Sequence, residues 1–178
     1  KSFFSQFRQN ISEVVAMGVL EKSPLYVFDI DRTLITTFDF KGDKIWLKNM
    51  KPPFVALDDF IIKGANETYA VLDIGVREVL SHLENQNKKI AFLSVGAQQN
   101  VEYDLQPTIH ILKLFNIYHY FNDQKHILYK TAKKDEVLRH MGECVFFDDN
   151  NKHLLEAFGL NNVTAVDRKS FTFWEELL

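Results

Sequence analysis

The sequence predicts an α/β fold in which helices cover both faces of a central, mostly parallel sheet. Apolar segments typical of buried strands alternate with amphipathic segments typical of helices along most of the chain. This alternation implies right-handed crossovers between parallel strands. Three predicted strands also end in polar residues, and ligands of such sheets bind beyond the carboxyl ends of the strands. These polar residues are Asp29 and Asp31, Ser94, and Asp148 and Asp149.

The first part of the chain combines a helix, a strand and a hairpin. Residues 2–20 repeat apolar side chains every three or four positions, which predicts an amphipathic helix added in front of the core. Residues 25–30 are almost entirely apolar, which predicts a buried strand. Residues 36–47 alternate around a Lys-Gly-Asp-Lys turn, which predicts a hairpin. After two adjacent prolines, residues 55–72 are expected to be irregular or to form short extended pieces.

The rest of the chain alternates helices with strands. The predicted helices are residues 74–89, much of 98–116, 133–142 and 152–159. The predicted strands are residues 89–96, 126–129, 144–149 and 163–166. Pro107 either kinks its helix or marks a restart. The last two helices each end at a glycine, which is a typical helix terminator.

The length of 178 residues suits one domain with a substantial core. Hydrophobic residues make up 46% and charged residues 25%, which indicates a folded rather than a disordered chain. We expect residues 1–22 to be a helical addition, residues 24–167 to form the core and residues 168–178 to start a C-terminal helix. Because the chain begins with Lys and ends without a helix cap, we expect it to continue beyond both ends.

Composition also limits the function classes. The net charge of −3 argues against a nucleic-acid coat protein. The longest apolar runs are far too short to span a membrane. The single cysteine, Cys144, excludes an internal disulfide and suits a reducing compartment, so a cytoplasmic location is expected. Cys144 lies within an apolar strand and no arginine follows it closely, which excludes cysteine-based phosphatase chemistry.

The acids after two predicted strands indicate a metal site. A single Asp after a strand usually caps a turn or helix, but here two acid pairs follow two similar apolar strands. If both strands are central and parallel, the pairs converge on one crevice. Clustered carboxylates raise one another's pKa unless a cation lies among them, and few-carboxylate sites suit Mg²⁺. The predicted metal-site residues are Asp29, Asp31, Asp148 and Asp149.

A serine at a strand end adds a predicted anion site. The hydroxyl of Ser94 and the backbone N–H groups of Val95 and Gly96 can bind an anion at the start of the following helix. The alternative is that Ser94 only caps that helix.

A lysine is the last predicted member of the site. Lys133 lies one turn before Val137 on the predicted helix stripe, so its side chain can enter the pocket. A lysine is disfavoured at this end of a helix by the dipole, and a nearby anion would explain it. Lys130 and Lys134 are alternatives, and a solvated surface lysine is an alternative for each of the three.

The segments "FDIDRTL" and "FLSVG", a lysine before a helix, and "FFDDN" together resemble the haloacid dehalogenase-like (HAD) superfamily of aspartate-nucleophile phosphohydrolases. The resemblance covers about residues 24–167. It is closest to the magnesium-dependent phosphatase group, through "IGVREVLSHLENQNKKIAFLS" and "VFFDDNNKHLLEAFGLNNVTAV". It implies a HAD-like Rossmannoid three-layer α/β/α fold with a minimal, hairpin- or flap-type cap. A looser similarity is to effector phosphotyrosine phosphatases of this fold, which intracellular bacteria deliver into host cells.

The resemblance implies a role for each acid. Asp29 would be the nucleophile that forms an aspartyl-phosphate. Asp31 would be the general acid and base, and its backbone carbonyl would also bind the metal. Thr33 would orient the Asp31 loop. Asp148 and Asp149 would hold Mg²⁺, and the resemblance leaves open which of them binds it directly.

The resemblance also implies which residues bind phosphate. Ser94 and the nearby amides of Val95 and Gly96 would hold phosphoryl oxygens, and Lys133 would neutralise their charge. The chain lacks the Pro-Gly that often precedes this lysine in the superfamily, so Lys130 and Lys134 stay alternatives. Arg32 stands where many members carry Gly, and it either reaches the substrate or points to water.

The short cap implies an open site that admits a phosphate displayed on a macromolecule. We expect a phosphoprotein phosphatase, with phosphotyrosine preferred because an aromatic rim can stack on its ring. The rim candidates are Phe38, Phe40, Trp46 and Phe54, for which hairpin packing is the alternative role.

Three other functions compete with this expectation. A nucleic-acid end phosphatase would need a basic stripe near the crevice, for which the lysines at positions 41, 44, 48 and 51 are candidates without forming a clear nucleic-acid signature. A phosphatase that acts on small sugar phosphates is the second alternative. A catalytically inactive binding module is the third alternative. The intact acid set argues against it, because clustered buried charges are costly and an inactive protein has no reason to keep them.

Overall fold

The computed structural model describes residues 18–95, 107–128 and 133–178. Its strands are β1 Leu25–Phe28, β2 Ile35–Phe38, β3 Lys44–Ile45, β4 Val55–Ala56, β5 Ile61–Lys63, β6 Tyr69–Leu72, β7 Lys89–Val95, β8 Lys125–Leu128, β9 Cys144–Asp148 and β10 Val163–Asp167. Its helices are α1 Val76–Asn85, α2 Pro107–Leu114, α3 Lys134–Leu138 and α4 Asn151–Phe158. Most of the predicted helix 2–20, the first part of the predicted helix 98–116, and both Gly96 and Lys130 lie outside the described residues.

Five of the described strands form a parallel sheet in the order β10-β9-β1-β7-β8. β1 pairs with both β7 and β9, so that Phe28 lies opposite Phe92 on one side and Phe147 on the other. The chain builds β7 and β8 on one side of β1 and then returns to add β9 and β10 on the other side. The strand order therefore reverses between β1 and β9, where open α/β sheets form ligand crevices. The predicted parallel sheet is confirmed.

Alternating side chains of the parallel strands face two separate apolar cores. In β1, Tyr26 and Phe28 belong to one core, while Leu25 and Val27 belong to the other. Helices α1 and α2 pack in the first core, and α3 and α4 pack in the second. Helices therefore cover both faces of the sheet, as predicted. Burial on both faces also explains why β1 is an unbroken apolar run rather than an alternating one.

A second, antiparallel sheet fills the connection between β1 and α1. Its strand order is β3-β2-β6-β5-β4. The predicted hairpin 36–47 is present as β2 and β3, with Thr37 opposite Ile45. Of the two alternatives expected for residues 55–72, the short extended pieces are present, as three paired strands. Strands of two to four residues carry too little alternation to be recognised from sequence, and their pairing defines them: β6 pairs with β2, β5 with β6 and β4 with β5.

The segment after β10 also differs from the expectation. Residues 168–178 were predicted to start a helix, but they form two 3₁₀ turns, Arg168–Ser170 and Trp174–Leu177. Trp174 is fully buried and packs against the rings of Phe28 and Phe147, with centroids 5.7 and 5.1 Å away. This packing of Trp174, together with the buried Phe171 and Leu177, fixes the segment against the first core.

Gly75 allows this segment to approach the start of α1. Its φ is +91°, a backbone conformation that L side chains rarely adopt. A Cβ added at this position would lie 2.7 Å from the backbone nitrogen of Glu175. A larger residue is therefore excluded at this position.

None of the helices in residues 18–95, 107–128 and 133–178 has the length and the apolar composition needed to cross a lipid bilayer.

Candidate active site

Three of the four predicted acids, Asp29, Asp148 and Asp149, lie together beyond the carboxyl ends of β1 and β9. The backbone N–H of Asp29 donates to the carbonyl of Phe147 (2.9 Å), which continues the strand pairing by one residue and sets Asp29 beside Asp148. Carboxylate oxygens of Asp29, Asp148 and Asp149 lie within 4.8 Å of one another. Asp29 and Asp148 are buried, and Asp149 is half-buried. Three acids on neighbouring strands thus face the same point at the reversal of strand order.

Lys134 places an ammonium group between two of these acids. Its Nζ donates to Asp29 Oδ1 and to Asp148 Oδ2, at 2.7 Å in both cases. The lysine side chain is only 2% exposed. Because both contacts are charge-assisted and shielded from water, they hold the two carboxylates in fixed orientations.

The expectation that Lys133 enters the pocket is corrected. Lys133 is exposed and occupies the N-cap position of α3, so its side chain does not follow the buried helix face. The buried positions of this segment are Leu138 and Met141, which lie four and seven residues after Lys134. Val137, on which the Lys133 prediction was based, is only partly buried. A one-residue error in the helix face therefore selected the wrong lysine.

The four charged groups perturb one another's pKa. Burial, reinforced by the charge of Asp148, raises the pKa of Asp29 well above its usual value, and Lys134 offsets part of this rise. Burial alone would raise the pKa of Asp148, but His153 and Lys134 hold it below its usual range. Burial and Asp148 raise the pKa of Asp149. One lysine is therefore too little positive charge for three ionised carboxylates.

Asp31 lies apart from this cluster, on the side of the second sheet. Its Oδ2 accepts a hydrogen bond from the backbone N–H of Leu47 (2.9 Å). Its Oδ1 is buried and has no hydrogen-bond partner among the described residues. Burial raises the pKa of Asp31 to about 6, and the Leu47 hydrogen bond and the charge of Arg32 limit the rise. A carboxyl with a pKa near neutrality can both give and accept a proton.

Thr33 holds the side chain of Asp29. Its Oγ1 donates to Asp29 Oδ2 (2.8 Å), so that Lys134 and Thr33 each engage a different oxygen of this carboxylate. The backbone carbonyl of Thr33 in turn accepts hydrogen bonds from Arg168 Nε (3.1 Å) and Trp174 Nε1 (3.2 Å). The segment after β10 thus supports the Asp29 loop from behind.

Arg32 adopts a left-handed backbone conformation, with φ at +63°. Its N–H donates to the carbonyl of Ile35 (2.7 Å), which closes the turn after β1. This conformation is free for glycine and costs other residues about 1–2 kcal/mol. The guanidinium carbon of Arg32 lies 3.8 Å from the centroid of the Trp46 ring, a distance typical of cation–π stacking.

These residues surround a cleft of about 140 Å³. The described residues that line it are Asp29, Asp31, Trp46, Lys48, Val95, Lys134, Asp148, Asp149, Asn150 and His153. Ser94 is buried and is not among them, although its neighbour Val95 is. The predicted phosphate-binding role of Ser94 and Gly96 stays a prediction.

Two residues at the start of α4 were missed by the sequence analysis. His153 Nδ1 lies 3.1 Å from Asp148 Oδ2, and the backbone N–H of Asn150 donates to Asp148 Oδ1 (3.0 Å). The side chain of Asn150 caps α4 by accepting from the N–H of Lys152 (2.9 Å). The sequence could have indicated Asn150, because Asn directly before a helix is a common N-cap residue. It could not have indicated the His153 contact, which depends on how α4 packs against β9.

Only one of the four predicted rim aromatics lines the cleft. Trp46 lies on it, whereas Phe38 lines a different groove of the molecule. Phe40 is 68% exposed in the β2–β3 turn, and Phe54 packs edge-on against His110 with centroids 5.1 Å apart. The aromatic rim is therefore reduced to Trp46, and it is accompanied by the cations Arg32 and Lys48.

No protein-family model matches this chain, and no curated protein matches it.

The acid cluster fits a hard divalent cation. Its donors are all carboxylate oxygens, which such cations prefer. The cluster is also deficient in positive charge, because Lys134 is the one cation that contacts Asp29 and Asp148 through hydrogen bonds between described residues. The donor set alone does not distinguish Mg²⁺ from other hard cations.

Proposed function

We propose that this chain is a Mg²⁺-dependent phosphomonoester hydrolase of the HAD-like superfamily that works through an aspartyl-phosphate on Asp29. The observation that carries the proposal is the position of Asp29. It lies at the end of the central strand, held by Lys134 and Thr33 and beside two further acids at the reversal of strand order. An oriented carboxylate beside positive charge is what nucleophilic attack on a phosphoryl group requires.

The first step forms a bond between a carboxylate oxygen of Asp29 and phosphorus, while the bond from phosphorus to the leaving oxygen breaks. Protonated Asp31 gives its proton to that leaving oxygen, for which a pKa of about 6 is suitable. In the second step ionised Asp31 takes a proton from water, and the water oxygen displaces Asp29 from phosphorus. Inorganic phosphate leaves and both carboxyl groups return to their initial states.

Positive charge near Asp29 makes this attack feasible. Lys134 lies within hydrogen-bond distance of Asp29 and is positioned to neutralise a phosphoryl oxygen. Asp29, Asp148 and Asp149, with the backbone carbonyl of Asp31, would hold Mg²⁺. When bound, this ion neutralises the repulsion between a carboxylate nucleophile and a phosphate dianion.

The expected substrate is a phosphoprotein, with phosphotyrosine preferred. Support comes from Trp46 at the edge of the cleft, which is 42% exposed and can pack against the leaving group. A nucleic-acid end phosphatase is less well supported, because Lys48 is the one candidate of the basic stripe that lines the cleft among the described residues. An inactive binding module is also less well supported, because it has no use for a buried Asp29–Lys134–Asp148 set.

Turnover of a chromogenic aryl phosphate tests the reaction class. We expect hydrolysis of p-nitrophenyl phosphate with Mg²⁺ and a loss of at least about 100-fold after treatment with EDTA, restored by added Mg²⁺. Phosphotyrosine peptides, phosphoserine peptides and small sugar phosphates are then compared by kcat/KM. Activity that survives EDTA contradicts the metal-dependent mechanism, and sugar phosphates that are turned over fastest contradict the protein substrate.

Replacing Asp31 by Asn tests proton transfer. We expect a loss of about 10²–10⁴-fold on a phosphoserine peptide, whose leaving oxygen needs a proton. The rate of the first step should fall less on p-nitrophenyl phosphate, because its leaving group is a stable anion. Because Asp31 must be protonated to act as an acid, wild-type kcat/KM on the peptide should fall above about pH 6. Substrate ionisation affects both proteins, so the two pH profiles are compared. Equal losses on both substrates with parallel pH profiles contradict this role.

A further inference from the structure

We infer that Arg32, Trp46 and Lys48 form a carrier subsite that selects phosphoproteins with acidic residues next to the phosphorylated one. This inference rests on the proposed function, since it concerns the part of the substrate beyond the leaving oxygen. It adds a charge preference that neither the acid cluster nor the aromatic ring implies.

The carrier subsite is held in place by two contacts between separate segments. The Arg32 guanidinium stacks on the Trp46 ring at 3.8 Å, and the N–H of Leu47 donates to Asp31 Oδ2 at 2.9 Å. Leu47 is 1% exposed, which anchors the turn that carries both Trp46 and Lys48. The left-handed turn at Arg32 is closed by its hydrogen bond to Ile35. The Arg32 guanidinium and the backbone turn that carries Lys48 are therefore positioned by the protein before a substrate arrives.

Both cations are available to an anion. Neither Arg32 nor Lys48 belongs to an ion pair between described residues. Arg32 Nε is buried and has no hydrogen-bond partner among them. When a guanidinium stacks on an aromatic ring, the N–H donors in its plane can still bind a carboxylate. Lysine adds a compact positive charge.

Charge is distributed unevenly around the cleft. The cluster of Asp29, Asp148 and Asp149 is acidic, whereas Trp46 and Lys48 also line the cleft and Arg32 stacks on the Trp46 ring without lining it. Arg32 follows Asp31 in the chain, and Lys48 follows Leu47, whose N–H donates to Asp31 Oδ2, so both cations belong to segments that contact this carboxyl or carry it.

The position of Asp31 determines where the part of the substrate attached to the leaving oxygen lies. Asp31 protonates the leaving oxygen, so a phosphoryl group bound at Asp29 directs its leaving group towards Asp31. The groups attached to that oxygen then lie against Arg32, Trp46 and Lys48. Acidic side chains beside the phosphorylated residue gain from both cations, and basic side chains are repelled by them.

Three peptides with one phosphotyrosine and acidic, neutral or basic flanking residues test the charge preference. For the wild-type protein we expect kcat/KM to be about tenfold higher with acidic than with neutral flanks at low salt, since each partly exposed pair contributes about two- to fivefold. The preference should shrink as ionic strength rises. Lys48→Glu should reverse the order of the acidic and basic peptides. Trp46→Ala should reduce the acidic-to-neutral ratio by about threefold, because Arg32 loses its support.

A matched pair of residues in the β2–β3 turn provides the control. Lys41 Nζ lies 5.5 Å from the centroid of the Phe40 ring, so this pair also combines a cation with an exposed aromatic ring, away from the cleft. Lys41→Glu changes the net charge by the same amount as Lys48→Glu, and Phe40→Ala removes an aromatic ring as Trp46→Ala does. Both controls should leave the acidic-to-neutral ratio unchanged.

The outcomes separate the carrier subsite from the reaction itself. Wild-type protein that hydrolyses p-nitrophenyl phosphate but gives equal kcat/KM for the three peptides overturns the carrier subsite and leaves the phosphatase proposal intact. A preference that responds equally to Lys41→Glu and Lys48→Glu reflects net charge alone and also overturns it. Absence of any hydrolysis overturns the proposed function, and the carrier subsite with it.

Discussion

Replacing Asp29 by Asn should lower turnover of every phosphomonoester by at least about 10⁴-fold while leaving the protein folded. An amide nitrogen or oxygen cannot form the acyl phosphate, and loss of a nucleophile removes the covalent step altogether. The variant should stay folded because Lys134 keeps its contact with Asp148 at 2.7 Å, so its ammonium is not left without a partner. Steady-state kinetics and thermal unfolding measure the two effects.

Acid trapping gives a second readout for the same residue. Wild-type protein quenched in acid during turnover of ³²P-labelled substrate should retain label on Asp29, and Asp29→Asn should retain none. Asp39→Asn is the matched control, because Asp39 is an Asp of the β2–β3 turn that accepts N–H bonds only within that turn. An Asp29→Asn protein that turns over substrate at more than about one hundredth of the wild-type rate would exclude Asp29 as the nucleophile.

Replacing Lys134 by Met should have the largest effect on stability. The substitution keeps the aliphatic volume but leaves Asp29 and Asp148 close together and buried without their shared ammonium. Breaking such a buried pair costs about 3–5 kcal/mol of the free energy of unfolding. For a chain of this size, a loss of this kind lowers Tm by about 10 °C. Activity should fall by about 10²–10³-fold, because charge on the phosphoryl oxygens is no longer neutralised.

The pH and metal dependence of Lys134→Met distinguish electrostatics from packing. In the variant, without the ammonium, the pKa of Asp29 rises further above its value in the unfolded chain. Neutral Asp29 then contributes stability that is lost as pH rises through this folded-state pKa. The deficit relative to wild type should therefore increase as pH rises. Added Mg²⁺ should raise the Tm of the variant more than that of wild type.

Lys133→Met is the control for this substitution. Lys133 is exposed, so its replacement should change the free energy of unfolding by less than about 0.5 kcal/mol and leave activity unaltered. If Lys133→Met and Lys134→Met have the same effects, the assignment of Lys134 to the cleft is wrong.

The position of the acids was predictable from sequence because it depends on local pattern and one general property of parallel sheets. Apolar runs ending at Asp29 and at Asp148 identify two buried strands, and carboxyl ends of parallel strands meet at one edge. The lysine was predictable in type but not in position. The buried Leu138 and Met141 indicate the helix face that contains Lys134, whereas the half-buried Val137 indicates the neighbouring face.

Other parts of the site depend on contacts that no local pattern contains. The hydrogen bonds from Arg168 and Trp174 to Thr33 join residues separated by 135 and 141 positions. The left-handed turn at Arg32 is occupied by a residue with no intrinsic preference for it, so it depends on closure by Ile35. Strands β4, β5 and β6 are recognisable only once they pair with one another and, through β6, with β2.

The support of Thr33 by Trp174 has a consequence for the order of events during synthesis. A ribosome completes β1 and its acids early, but the indole that packs behind them is added 141 residues after Thr33. A nascent chain that ends before Arg168 lacks both donors to the Thr33 carbonyl, although every acid of the cluster has already been made. The Asp29 loop therefore reaches its supported form only after all ten described strands have left the ribosome. The cleft is therefore assembled late, and its complete form requires that the chain has been synthesised at least as far as Trp174.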